Sequence, residues 1–120
     1  MPDIDYGQIL EALNNKVDLS GSWSAPSTNY IDLTLGASGT TYTAPADGYY
    51  TIDKKAGASG AFLDLDNTTS HHIRITAQAT DAANWQRVFV PARKGDIVQV
   101  FYNSTGETNH FRFIYAQKTN

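Results

Sequence analysis

Histidines at positions 71, 72 and 110 and a close pair of aspartates are the residues of this 120-residue chain best equipped for chemistry. A nucleophilic relay needs a Ser, Thr or Cys beside a histidine that an acid orients. His71 and His72 are adjacent, so on a strand they point to opposite faces, and no Gly-x-Ser-x-Gly elbow accompanies them. Asp64 and Asp66 would share one strand face about 7 Å apart, a spacing open to paired acid–base carboxylates. They run into the turn Asn67-Thr68-Thr69-Ser70 and read as a solvated strand end. As a calcium loop the same segment lacks the ligand run and closing Glu of an EF-hand. His71 falls with Ile73 and Ile75 on an apolar face and reads as a core or interface histidine. Only in a trimer with His71 near the axis would three copies hold a metal or an anion. The expectation is therefore a protein that is not an enzyme, with no catalytic residue, no metal and no cofactor.

Composition narrows the partners. There are twelve acidic and nine basic residues and no cysteine, for a net charge of −3. No basic stripe is present to meet phosphates or anionic lipid, which argues against nucleic acid. Without cysteine there is neither a disulfide framework nor a thiolate zinc site. The start Met-Pro-Asp-Ile-Asp is not a signal peptide, and no apolar run approaches membrane length, so neither export signal nor membrane insertion is expected. Apolar and aromatic residues are spread through the chain, as in a folded domain.

Two regimes of periodicity position these residues. Tyr6, Leu10, Leu13 and Val17 recur at spacings of four, three and four, which predicts a short N-terminal α-helix with Asp3 or Asp5 as cap. So short a helix needs partners, either its own β domain or the same seam on neighbouring chains. After the linker around residue 20 everything reads with period two. Strands are expected at 30–35, 39–43, 48–54, 60–65, 71–80, 85–90, 96–102 and 110–116, punctuated by turn clusters such as APADG, AGASG and PARKG. Gly48 and Gly95 are read as turn positions where positive φ is cheap, and Pro45 and Pro91 as setting φ early in those turns. This predicts residues 1–20 as helix and linker, and 21–120 as one all-β antiparallel sandwich of about eight short strands.

The strands near residues 96–102 and 110–116 are apolar on both faces. Val98, Val100 and Tyr102 share one face, with Ile97 and Phe101 on the other. Phe111, Phe113 and Tyr115 likewise oppose Ile114 and Ala116. A sandwich strand has one face in water, so the second apolar face needs a cover, either the N-terminal segment or a loop, or else another subunit.

The segments YTAPADGYYTI (42–52), VFVPARKGDIVQVFY (88–102) and FRFIYAQK (111–118) resemble the trimeric jelly-roll heads related to C1q and tumour necrosis factor. In particular they are similar to the C-terminal heads of bacteriophage tail and head fibres, and ILEALNNKVDLSG (9–21) is similar to the repeats that precede such heads. The resemblance implies a jelly roll, a homotrimer, a place on the virion and extracellular action in host attachment. The trimer interface is expected at Tyr6, Leu10, Leu13, Val17, Ile97, Phe101 and Ile114. A bacterial surface glycan or protein would meet outward aromatic and amide side chains, for which Trp23, Tyr49, Trp85, Gln86, Tyr102 and Asn109 are the choices. The alternative is a purely structural fibre or trimerisation cap with no ligand.

Overall fold

The computed structural model describes residues 24–70 and 73–117. The expected helix with Tyr6, Leu10, Leu13 and Val17, and the residues Trp23, His71 and His72, lie outside the described residues. The rest is all-β. Eight strands follow in order: β1 (Pro26–Asp32), β2 (Thr41–Thr43), β3 (Gly48–Lys55), β4 (Phe62–Asn67), β5 (Ile73–Gln78), β6 (Trp85–Ala92), β7 (Ile97–Tyr102) and β8 (Thr108–Ala116). They form two four-stranded sheets, β1-β8-β3-β6 (sheet A) and β2-β7-β4-β5 (sheet B), packed face to face. Every pairing is antiparallel. Four of the pairs, β1–β8, β2–β7, β3–β6 and β4–β5, make one long ribbon, and β3–β8 and β4–β7 join its two halves.

Alternation explains the core. Tyr50 and Ile52 of β3, Val88 and Val90 of β6, and Phe111 and Phe113 of β8 face Leu63 and Leu65 of β4 and Val98 and Val100 of β7. Aromatic edges lock this layer, with Tyr50 and Phe113 rings 5.0 Å apart and Tyr42 and Phe111 4.9 Å apart, both edge to face. Burial takes the Tyr50 phenol to about 12, with Tyr42 adding to the shift.

Several sequence expectations change here. β1 begins at Pro26, earlier than the apolar alternation, with an irregular register between Pro26 and Tyr30. Gly48 does not have a positive φ. It is needed because a Cβ there would lie 2.2 Å from the Ile114 carbonyl oxygen. Gly95 does turn with φ +89°. Pro91 sits within β6 rather than in the turn, as an edge strand permits. Ile73 and Ile75 of β5 are exposed although Ile75 pairs with buried Leu65, because β5 is the edge of sheet B. Asp64 and Asp66 are not a solvated strand end. Both are buried on the outer side of β4, where Arg74 donates to Asp64 and also stacks over Phe101 at 5.9 Å.

Candidate functional site

Turns and bulges decide which side chains reach the outside of sheet A. Its centre is β3, whose outward residues Tyr49, Thr51 and Asp53 form three rungs with their neighbours. Tyr49 lies between Pro91 and Ile114, Thr51 between Phe89 and Arg112, and Asp53 between Arg87 and His110. Tyr30 extends the first rung and Asp32 the second.

The third rung is built most elaborately. Asp53 pairs with His110, but Lys54 pairs with Thr108, so Asn109 is an extra residue in β8, a bulge that re-aims its side chain. Asn109 Nδ2 donates to Asp53 Oδ2 at 3.0 Å and lies 3.4 Å from His110 Nδ1. Arg87 Nε donates to the other oxygen, Oδ1, at 3.1 Å. Asp53 is only 4% exposed, whereas the Arg87 side chain is 73% exposed. A buried, doubly bonded carboxylate thus fixes the orientation of an outward guanidinium. Two residues earlier on the same face of β6 stands Trp85, 42% exposed and paired in register with Lys55.

Loops brace this end of the sandwich. Lys55 N donates to Glu107 O, Ala56 N to Asn84 O and Gly57 N to Ala82 O, all at 2.7–2.9 Å. Ser104 Oγ donates to the Ala56 carbonyl. Beneath them the Lys54 ammonium is buried, donating to Ser104 O at 2.8 Å and lying 5.3 Å over the Tyr102 ring. Desolvation lowers its pKa.

The other rungs are more apolar. Phe89 is 60% exposed and meets the Tyr49 ring at 6.5 Å, edge to face. Tyr49 donates its hydroxyl to Ser24 O at 2.7 Å, and burial raises its pKa. Arg112 stacks over Tyr30 at 4.3 Å while its Nε donates to Asp32 at 2.9 Å. That bond is the main cause of its raised pKa.

Of the residues expected to hold a ligand, Trp85, Tyr49 and Asn109 come together on this one face. Gln86 and Tyr102 do not. Gln86 turns inward and its amide donates to Ala61 O and Ala77 O, and the Tyr102 hydroxyl donates to Gly36 O. Of the expected interface residues, Ile114 is on sheet A's outer face, while Ile97 and Phe101 alternate with buried Val98 and Val100 and so lie on the opposite face of the sandwich, outside sheet B. Arg87, Phe89 and Asp53 were not singled out from the sequence. The alternation Trp85-Arg87-Phe89 against Gln86-Val88-Val90 carries the signal for two of them and for the inward turn of Gln86.

Among the described residues no three His, Asp or Glu side chains are grouped to hold a metal ion, and no helix is long and apolar enough to cross a membrane. Asp53 is the one carboxylate on the third rung, so the rung does not hold a pair of carboxylates. What this rung presents is an oriented cation, an indole face and an amide, an arrangement suited to binding. No protein-family model, curated protein or solved structure matches this chain.

Proposed function

We propose that this chain is a trimeric, non-enzymatic binding head of jelly-roll type, carried at the end of a bacteriophage fibre. There it attaches the virion to a glycan or protein of the bacterial surface. The pairing of first strand with last, second with seventh, third with sixth and fourth with fifth supports a jelly roll, in which one antiparallel ribbon is rolled into two sheets. The resemblance of segments 42–52, 88–102 and 111–118 to fibre heads supports the biological setting.

The observation that carries the binding reading is the outer face of sheet A, where exposed Tyr30, Phe89 and Trp85 lie among oriented polar groups. Its two ends suit two tasks. The Tyr30–Ile114–Tyr49–Pro91 rung with Phe89 suits contact with another subunit, and the Asp53 rung with Trp85 suits a ligand. The test is light scattering combined with whole-cell binding. A mass of three chains and adsorption to a bacterial surface are expected, with adsorption reduced by Trp85→Ala. A monomer at micromolar concentration would remove the trimer, and a trimer that adsorbs to no bacterial surface would leave the purely structural fibre or cap.

A further inference from the structure

Resting on that reading, we propose that the Asp53 rung binds a carboxylate-bearing saccharide of the uronate class. The acid group would sit on Arg87 and a sugar ring on the face of Trp85.

The inventory of donors and acceptors chooses the ligand. The carboxylate of the rung, Asp53, is buried and accepts from Arg87 on one oxygen and from Asn109 on the other. It is therefore poorly placed to accept from sugar hydroxyls. Arg87 uses Nε on Asp53 and its side chain is 73% exposed, which leaves its two terminal amino groups open to a ligand as a fork. Such a fork, already oriented, matches a carboxylate in two parallel hydrogen bonds and loses little conformational freedom on binding it. Lys55, in register with Trp85, and His110, beside Asn109, add nitrogen groups at the border. With its carboxylate occupied on both oxygens, the rung offers Asn109 Oδ1 as its open side-chain acceptor and an exposed cation beside it, which favours an anionic ligand rich in acceptors.

Trp85 selects the ligand's body. Residues two apart on a strand face stand about 7 Å from each other, which is within reach of one sugar ring and the acid group on it or on the next ring. An exposed indole offers an apolar face to the C–H side of a pyranose, and its N–H remains free to meet a hydroxyl. The chain's net charge of −3 does not oppose this, because sheet A's outer face carries Arg87, Arg112 and Lys55 against Asp32 and Asp53. At physiological salt the acids elsewhere are screened beyond about 8 Å.

Trigalacturonate and an oligomannuronate, with the methyl ester of trigalacturonate and a neutral dextran oligomer as controls, test the proposal by calorimetry on the whole protein. One or both acids should bind. The ester and dextran should bind at least tenfold more weakly, and binding should weaken with added salt. Arg87→Gln should weaken the acids roughly ten- to hundredfold, as expected for loss of a charge-assisted pair, and Arg87→Lys should restore part of it. Trp85→Ala should weaken acid and ester alike. Failure of both acids, or equal binding of acid and ester, would overturn the proposal. So would an Arg87→Gln variant that keeps full affinity, or one that changes the mass of the assembly, which would make Arg87 an interface residue. Failure here with cell adsorption intact would leave the attachment reading standing, whereas loss of both trimer and adsorption would remove that reading itself.

Discussion

Asp96 shows how much one side chain at a turn can hold. It is buried between β6 and β7, and a single oxygen accepts from Arg93 N at 2.9 Å, Asn67 Nδ2 at 3.0 Å and Ser70 Oγ at 2.8 Å. Burial opposes its charge, but these donors prevail and hold its pKa below the ordinary carboxylate value. A carboxyl depressed in the folded state contributes stability above its unfolded pKa of about 3.9 and loses it as pH falls through the folded value. Asp96→Ala takes the shared acceptor from Arg93 N, Ser70 Oγ and one amide hydrogen of fully buried Asn67, whose other hydrogen bond to Pro91 O remains, and should cost about 2–3 kcal/mol in urea unfolding at pH 7. The deficit relative to the parent should shrink below pH 4. Lys54 has the opposite sign. A buried ammonium with a lowered pKa makes stability rise as pH climbs through the folded value towards about 10.4, since the unfolded chain then holds more protons. Lys54→Met keeps the stem and removes the charge, and it should abolish that rise on the alkaline side as pH approaches about 10.4. A rise that persisted in the variant would mean another group titrates there.

Elements were legible where alternation was. All eight expected strands are present, and Tyr50, Ile52, Val98, Val100, Phe111 and Phe113 face inward as period two requires. Pairing was not legible, because it depends on which strands become edges. Edge position leaves Ile73 and Ile75 in water and lets Pro91 sit inside a strand. Buried polar groups were hidden for a related reason. Nothing local to Asp64 reveals that Arg74 will cover it from the next strand, and nothing near Asn109 announces a bulge. The candidate site was half legible. Trp85 and Asn109 were found by residue type, but Arg87 gains its role only from Asp53, far away in sequence. The loop end depends on an equally unannounced contact, since a Cβ on Gly106 would lie 1.9 Å from the Lys55 carbonyl oxygen. That distance cannot be relieved by a rotamer change. Gly106→Ala should therefore push the β7–β8 loop off β3 and cost at least about 2 kcal/mol, with faster amide exchange at Lys55, which donates to Glu107 in the same loop. Exchange at Lys55 unchanged from the parent would show that the loop absorbs the methyl.

The proposed trimer is constrained by which surfaces face which way. A threefold ring is heterologous: each copy contributes two different patches, and the ring closes only if those patches are inclined to one another. Ile114 on sheet A and Ile97 with Phe101 on sheet B point to opposite sides of the sandwich. Joining those two faces would stack copies into an open row. The exposed Ile73 and Ile75 lie instead on edge strand β5, which neighbours β6, the edge strand of sheet A. In the proposed trimer one copy's β5 edge would meet the next copy's Tyr30, Tyr49, Phe89 and Ile114, and Ile97 would stay outside the contact. The prediction that separates the two arrangements is a pair of charge insertions. Phe89→Asp would bury three uncompensated carboxylates in the ring, a penalty of several kcal/mol for the assembly. It should give monomers by light scattering with strand content retained by circular dichroism, because Phe89 is 60% exposed within a single copy. Ile97→Asp, at a position 41% exposed within one copy, should leave the trimer mass unchanged. If Ile97→Asp dissociated the assembly and Phe89→Asp did not, sheet B would be the assembly face, and the aromatic row of sheet A would be left wholly to the ligand.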